Sequence, residues 1–176
     1  MARIEPIEMD AATGKAKELL EEQASRGGEP RPMVRAMANA LALLRGYVDL
    51  NRAMKRGHID RRTTERVALA VQAWIGCDYC LAAHTAAAQK LGLSELDIEL
   101  ARQGTATDVK VAALVAFGQQ VAAAPGEVSD AQIDEPGEHG YSDEQIAEVV
   151  GLVALQQLTG AFNLVAGVAP AVEAPR

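Results

Sequence analysis

The sequence predicts an all-α protein, a single domain of six to eight helices over residues 1–176 with its core at about 32–168, and three observations predict it. Alanine, the strongest helix former, makes up roughly a fifth of the chain. Apolar residues recur near the 3.6-residue period, and no stretch alternates with period two for long enough to read as a strand. Glycine, proline and capping pairs punctuate the chain at helical lengths.

Ala11 to Ser25 reads as a first helix, with Leu19 and Leu20 inward and Glu21 and Glu22 outward, and the glycines and prolines of 26–32 stop it. Met33 to Arg56 reads as one long helix, carrying Met37, Leu41, Leu44 and Val48 on a single stripe. Asp60 or Thr63 caps the next, which runs to about Ile75 and ends at Gly76 in a left-handed turn. Another starts at Cys77 or Asp78 and runs to Leu91, with Gly92 beyond it. Ser94 with Asp97, and Thr105 with Asp108, have the hydroxyl-to-acid spacing of an N-terminal cap. They open a short helix to about Gln103 and a longer one to about Ala124. Pro125 to Gly140 reads as an acidic loop, and Ser142 with Gln145 is a capping box for the last helix.

Composition excludes several function classes. A net charge of −7 with 3% aromatics argues against nucleic acid, which calls for basic patches and stacking rings. The start of the chain mixes charges early and lacks the apolar run of a secretory signal, so a cytoplasmic location is expected. Val149 to Val172 carries no charge and is long enough to span a bilayer. Gln156, Gln157, Thr159 and Asn163 interrupt it, so a buried helix is the better reading and no membrane is expected. Its small residues suit close helix approach, at a subunit interface or at the protomer's centre. No glycine-rich phosphate loop is present, and no cofactor is expected.

The chemistry is concentrated in residues 64–84. Cys80 lies three positions after Cys77, and His84 four beyond Cys80, so all three share one helix face. A helical pair at this spacing holds its Cα atoms about 5–6 Å apart, within disulfide range. Which sulfur reacts is open at this level. The helix N-terminus stabilises a thiolate at Cys77, whereas His84, one turn on, is placed to take the proton of Cys80. A workable division gives the attack to Cys80 and the resolving role to Cys77. Glu65, twelve residues before Cys77 among apolar neighbours, orients the other imidazole nitrogen if the two helices fold back at Gly76.

Rival readings are blander. A structural zinc site needs four ligands, and only Cys77, Cys80, His84 and one of Glu65 or Asp78 are at hand, so no metal is expected. Trp74 and Tyr79 read as packing residues, and His58 and His139 as surface residues without a nameable partner. Lys55, Arg56, Arg61 and Arg62 form a basic cluster, a solvated face or a meeting point for an anionic substrate. A faint echo at a shift of 79 residues sets Cys77, Cys80 and His84 against Gln156, Thr159 and Asn163.

Glu65, then Cys77-Asp-Tyr-Cys80 and Ala-Ala-His84, resembles the alkylhydroperoxidase D-like branch of the carboxymuconolactone decarboxylase family over about 32–168. The resemblance implies an all-helical fold and a homotrimer or hexamer. It further implies Cys80 as the peroxidatic thiol, Cys77 as the resolving one, and Glu65 with His84 as a proton relay. A hydroperoxide is then the substrate, and a dithiol carried by a lipoyl-bearing or thioredoxin-like protein is the reductant. Tyr79 departs from the pattern, in which histidine directly precedes the second cysteine. The function expected is a thiol-dependent peroxidase or disulfide oxidoreductase. The alternatives are a non-enzymatic redox-sensing or metal-binding assembly and a carboxymuconolactone decarboxylase-like enzyme.

Overall fold

A computed structural model of the chain describes residues 2–168, which contain nine α-helices and no strand. They are α1 (Gly14–Gly27), α2 (Pro32–Met37), α3 (Leu41–Met54), α4 (Arg61–Ile75), α5 (Asp78–Lys90), α6 (Glu95–Arg102), α7 (Val109–Ala123), α8 (Asp130–Glu138) and α9 (Asp143–Ala166). A short 3-10 turn, Pro125–Glu127, precedes α8.

The all-helical class holds, and two elements differ from the sequence reading. The long helix expected over Met33 to Arg56 is broken into α2 and α3, because Asn39 Nδ2 donates to the carbonyls of Ala36 (3.0 Å) and Glu5 (2.9 Å). A side-chain amide that takes over a backbone acceptor competes with the helical ladder, and Ala40 turns extended beside it. The acidic stretch expected as loop holds α8, whose Ser129–Gln132 pair forms a complete capping box. Elsewhere the caps stand where residue types put them: Asp60 opens α4, Ser94 with Asp97 opens α6, and Ser142 with Gln145 opens α9. At α7 the cap is Asp108 itself, accepting from Lys110 and Val111, rather than a Thr105 hydroxyl.

Three apolar clusters fill the interior. Val67, Ala70 and Val71 of α4 meet Leu114 and Val115 of α7 and Val149 and Val153 of α9. Leu20 of α1, Met37 of α2 and Leu44 of α3 close a second cluster onto Leu155 of α9, so the first thirty residues also supply core. Leu69 of α4 meets Ala88, Ile98 and Ala101 in the third. Helix α4 takes part in two of the three and packs against α5, α6, α7 and α9. Helix α9 is long and apolar enough to cross a membrane, but half of its apolar window is buried against the protein, and its Gly151 and Gly160 lie at contacts within the protomer. Residues 169–172 of the uncharged stretch lie outside the described residues.

Helix α9 comes close to α4 at Gly160, where a Cβ would stand 2.8 Å from Gln72 Oε1 and 3.0 Å from Ile75 Cγ2. The spacing of the two helices is set by that missing methyl. Gly160→Ala is therefore expected to lower unfolding stability by about 1–3 kcal/mol in urea denaturation, the usual cost of overpacking. Gly126→Ala, where a Cβ meets nothing within 4 Å, is the matched control and should change little.

Candidate active site

Helix α4 ends at Gly76, whose φ of +75° is left-handed, with the Gly76 and Cys77 N–H groups both donating to the Gln72 carbonyl (2.9 and 3.2 Å). This reversal lays α5 back along α4. Glu65, near the start of α4, thereby reaches His84 in the middle of α5, with Oε2 2.7 Å from Nδ1. The Glu65 side chain is only 9% exposed and that of His84 24%, so the pair is largely withdrawn from water.

The second imidazole nitrogen is also engaged. His84 Nε2 lies 3.0 Å from Gln156 Oε1 on α9, and the Gln156 amide is in turn oriented by Gln72 of α4. Gln72 Nε2 donates to Gln156 Oε1 and to the Gln156 carbonyl, both at 2.9 Å, and lies 3.3 Å from Thr159 Oγ1. An oxygen held in place by a donor leaves His84 Nε2 one role, that of donor. The imidazole thus points Nε2 at Gln156 and Nδ1 at Glu65.

The two cysteines are reduced and buried at the start of α5. Cys77 is the N-cap, its Sγ accepting the Cys80 N–H at 3.3 Å. Cys80 Sγ receives Asn163 Nδ2 of α9 at 3.2 Å. The pair is asymmetric. Hydrogen bonding from Cys80, side chain first and then backbone, outweighs burial and draws Cys77 down to about 7. Cys80 is pushed up, first by its hydrogen bond to Cys77 and then by burial, with Asn163 and Arg31 acting the other way. A second thiolate beside the first is what costs most.

Cys80 and His84 form no direct hydrogen bond. Both border a cavity of about 70 Å³, together with Arg31, Tyr47, Tyr79 and Asn163. Since one water needs about 10–15 Å³ of such space, the cavity has room for a small oxidant. Tyr79 is hydrogen-bonded to the Met33 backbone, and burial raises the hydroxyls of Tyr79 and Tyr47. Cys77 does not border this cavity; it opens on a different cleft beside Gly167 and Leu164.

The structure thus brings Glu65 and His84 into contact, and Cys77 and Cys80 into contact, with the cavity between His84 and Cys80. It adds Gln72, Gln156, Thr159, Asn163 and Arg31, which the sequence reading does not place in the site. The signal for three of these is present in the chain: Gln156, Thr159 and Asn163 stand at i, i+3 and i+7 in an apolar helix, one polar stripe facing the site. His58 is a correction, for it has partners: Nδ1 lies 3.0 Å from Glu148 and 3.5 Å from Glu144. Among the described residues these three form the acid–histidine group compact enough for a metal ion, whereas the cysteine pair and His84 do not converge as such a group. Glu148 is already committed to the His58 and Ile59 N–H groups at 2.8 and 3.3 Å, which marks it as a clasp between loop and helix.

A model of the carboxymuconolactone decarboxylase family matches residues 41–124, the segment holding both cysteines, His84 and Glu65. That match covers a little under half of the chain. No curated protein sequence matches it. Among solved structures, the chain is similar to an uncharacterised peroxidase-related protein from Ralstonia eutropha JMP134, described as an alkylhydroperoxidase AhpD core. Identity is 22% over 96% of this chain and 92% of the other, with a TM-score of 0.84. A peroxidase-related protein from Silicibacter sp. TM1040 is 17% identical over 97% and 94% of the two chains, TM-score 0.81. The debrominase Bmp8 is 16% identical over 95% and 91%, TM-score 0.79. The chain therefore has the AhpD-like all-helical fold.

The asymmetry of the cysteine pair is directly measurable. Thiolate absorbance at 240 nm should show one sulfur titrating with a midpoint of about 7 and the second staying protonated well above it. In Cys77→Ser the neutral-pH thiolate should disappear, because burial still raises Cys80 after its partner is gone. An unchanged midpoint in that variant would place the acidic sulfur at Cys80.

Proposed function

We propose that the protein is a thiol-dependent peroxidase that reduces hydroperoxides through Cys80 and Cys77. The observation that carries the reading is the pairing of a dithiol at a helix N-terminus with a small cavity that Cys80 shares with His84, the imidazole that Glu65 orients.

The dithiol holds one proton near neutral pH, shared between two hydrogen-bonded sulfurs. In the reactive arrangement the proton sits on Cys77, and Cys80 is the thiolate, supported by the Asn163 amide and facing the cavity. Its sulfur attacks the terminal oxygen of the hydroperoxide, and the O–O bond breaks. The departing alkoxide takes the Nε2 proton of His84 and leaves as an alcohol, while Cys80 becomes a sulfenic acid. Cys77 then attacks the Cys80 sulfur; the S–O bond breaks, and hydroxide leaves with the Cys77 proton as water. One hydroperoxide and two thiols have become one alcohol, one water and one disulfide. An external dithiol, on a lipoyl-bearing or thioredoxin-like protein, restores the pair by exchange at Cys77, the sulfur that opens on the other cleft. The cycle needs a reducing compartment, in keeping with the cytoplasm. Assembly into a homotrimer or hexamer remains part of the proposal.

A second reading, reductive dehalogenation, is favoured by the debrominase among the structural relatives. The same dithiol would replace a C–Br bond by C–H, releasing bromide and a proton and leaving the disulfide. Decarboxylation has no use for the dithiol.

Steady-state turnover of cumene hydroperoxide with dihydrolipoamide as donor tests the reading. Cys80→Ser should abolish turnover, and Cys77→Ser, slowed because its Cys80 stays protonated at neutral pH, should stop at one sulfenic acid per chain, trapped by dimedone. Glu65→Gln should slow it about 100-fold, the usual scale for disabling a proton-transfer group. Full turnover in Cys80→Ser would refute the assignment, and bromide release from a bromopyrrole without hydroperoxide turnover would favour the second reading.

A further inference from the structure

The basic cluster of the sequence is divided by the fold. Arg62 Nη2 turns away to the Gly92 carbonyl at 3.3 Å. Lys55 and Arg61 instead join Arg31 around a second cavity of about 200 Å³. Arg31, His84 and Gln156 border both this chamber and the one holding Cys80, so the two are neighbours across the imidazole. In a chain of net charge −7, three cations gathered on one chamber run against the overall sign.

The carboxylate on its wall pairs with Arg61 and not with Arg31. Glu65 is engaged on both oxygens, Oε2 with His84 at 2.7 Å and Oε1 with Arg61 at 3.8 Å. Arg31 has no ion pair among the described residues and is exposed to solvent. Met54, Ala87, Leu152 and Leu155 give the chamber an apolar stretch of wall, beside the polar Asn51 and Thr64. A planar guanidinium beside an apolar wall suits a carboxylate carried on a compact hydrocarbon.

Resting on the peroxidase reading, we infer that the outer chamber seats the carboxylate of an anionic organic hydroperoxide. Arg31 holds the acid group there, and the peroxide group lies across His84 against Cys80. Arg31 is then a specificity-determining residue. It acts on the substrate's acid group, and because its charge also favours the Cys80 thiolate, its effect is read as the ratio between two substrates rather than as a rate.

The test compares cumene hydroperoxide with its para-carboxylate, two substrates alike at the reacting oxygens. In the wild type, kcat/KM should favour the carboxylate by about tenfold at low salt, as one charge-assisted contact supplies. Arg31→Gln should bring the ratio close to unity, while Arg45→Gln, a cation paired with Asp49 on α3, should leave it as in wild type. Calorimetric binding of 4-isopropylbenzoate, which has no peroxide to react, should weaken about tenfold in Arg31→Gln alone. Equal kcat/KM for the two hydroperoxides in the wild type, with no binding of the benzoate, overturns the anion site and leaves the peroxidase standing. Benzoate binding that depends on Arg31 without turnover of either hydroperoxide supports the anion site and overturns the peroxidase. A preference unchanged in Arg31→Gln assigns the discrimination elsewhere and also overturns this inference.

Discussion

Two polar side chains on α4, Glu65 and Gln72, sit among residues that are almost wholly apolar and buried, and the site results from the need to satisfy them. A buried polar group without a partner costs about 1–3 kcal/mol, so each demands a specific neighbour. Glu65 finds it on α5, in His84, and the Gln72 amide nitrogen finds it on α9, in the side chain and carbonyl of Gln156. Gln156 then closes the circuit by accepting from His84. A slip of any of the three helices would leave more than one of these groups unpaired. The same contacts that hold the helices in register therefore fix the imidazole's tautomer and its distance from the cysteines.

Much of this is legible in the chain. Glycine at 76 and the cysteines at 77 and 80 announce a left-handed stop followed at once by a new helix, and the spacing to His84 puts three reactive groups on one face. The Glu65–His84 contact depends on α5 folding back along α4, which the Gly76 turn allows and only packing enforces. The α9 contribution is harder to read, because glutamine, threonine and asparagine carry no chemistry of their own. The polar stripe is visible as an interruption of an apolar run, and so is its alignment with the cysteines at a shift of 79 residues. That the two faces meet is a tertiary fact. The break at Asn39 is hidden because its cause, an amide bonding Ala36 and the distant Glu5, is half local and half long-range.

Fold alone does not choose the reaction. Proteins described as peroxidase-related and as a debrominase share this helical arrangement at low identity, so the choice rests on the site. Here the decisive features are an acidic dithiol, a donor imidazole across a small cavity, and a cationic chamber behind it. The division of labour between sulfurs is also geometric. Cys80 borders the small cavity and Cys77 the other cleft, so on the proposed peroxidase reading oxidant and reductant would approach from different sides.

The most direct test is a single turnover of the fully reduced protein with one equivalent of cumene hydroperoxide, without added reductant, followed by thiol counting and peptide mapping. Rapid loss of both thiols, one cumyl alcohol per chain, and an intramolecular Cys77–Cys80 disulfide are the expected results. Oxidation no faster than that of a free thiol, or disulfides formed only between chains, would contradict the peroxidase mechanism.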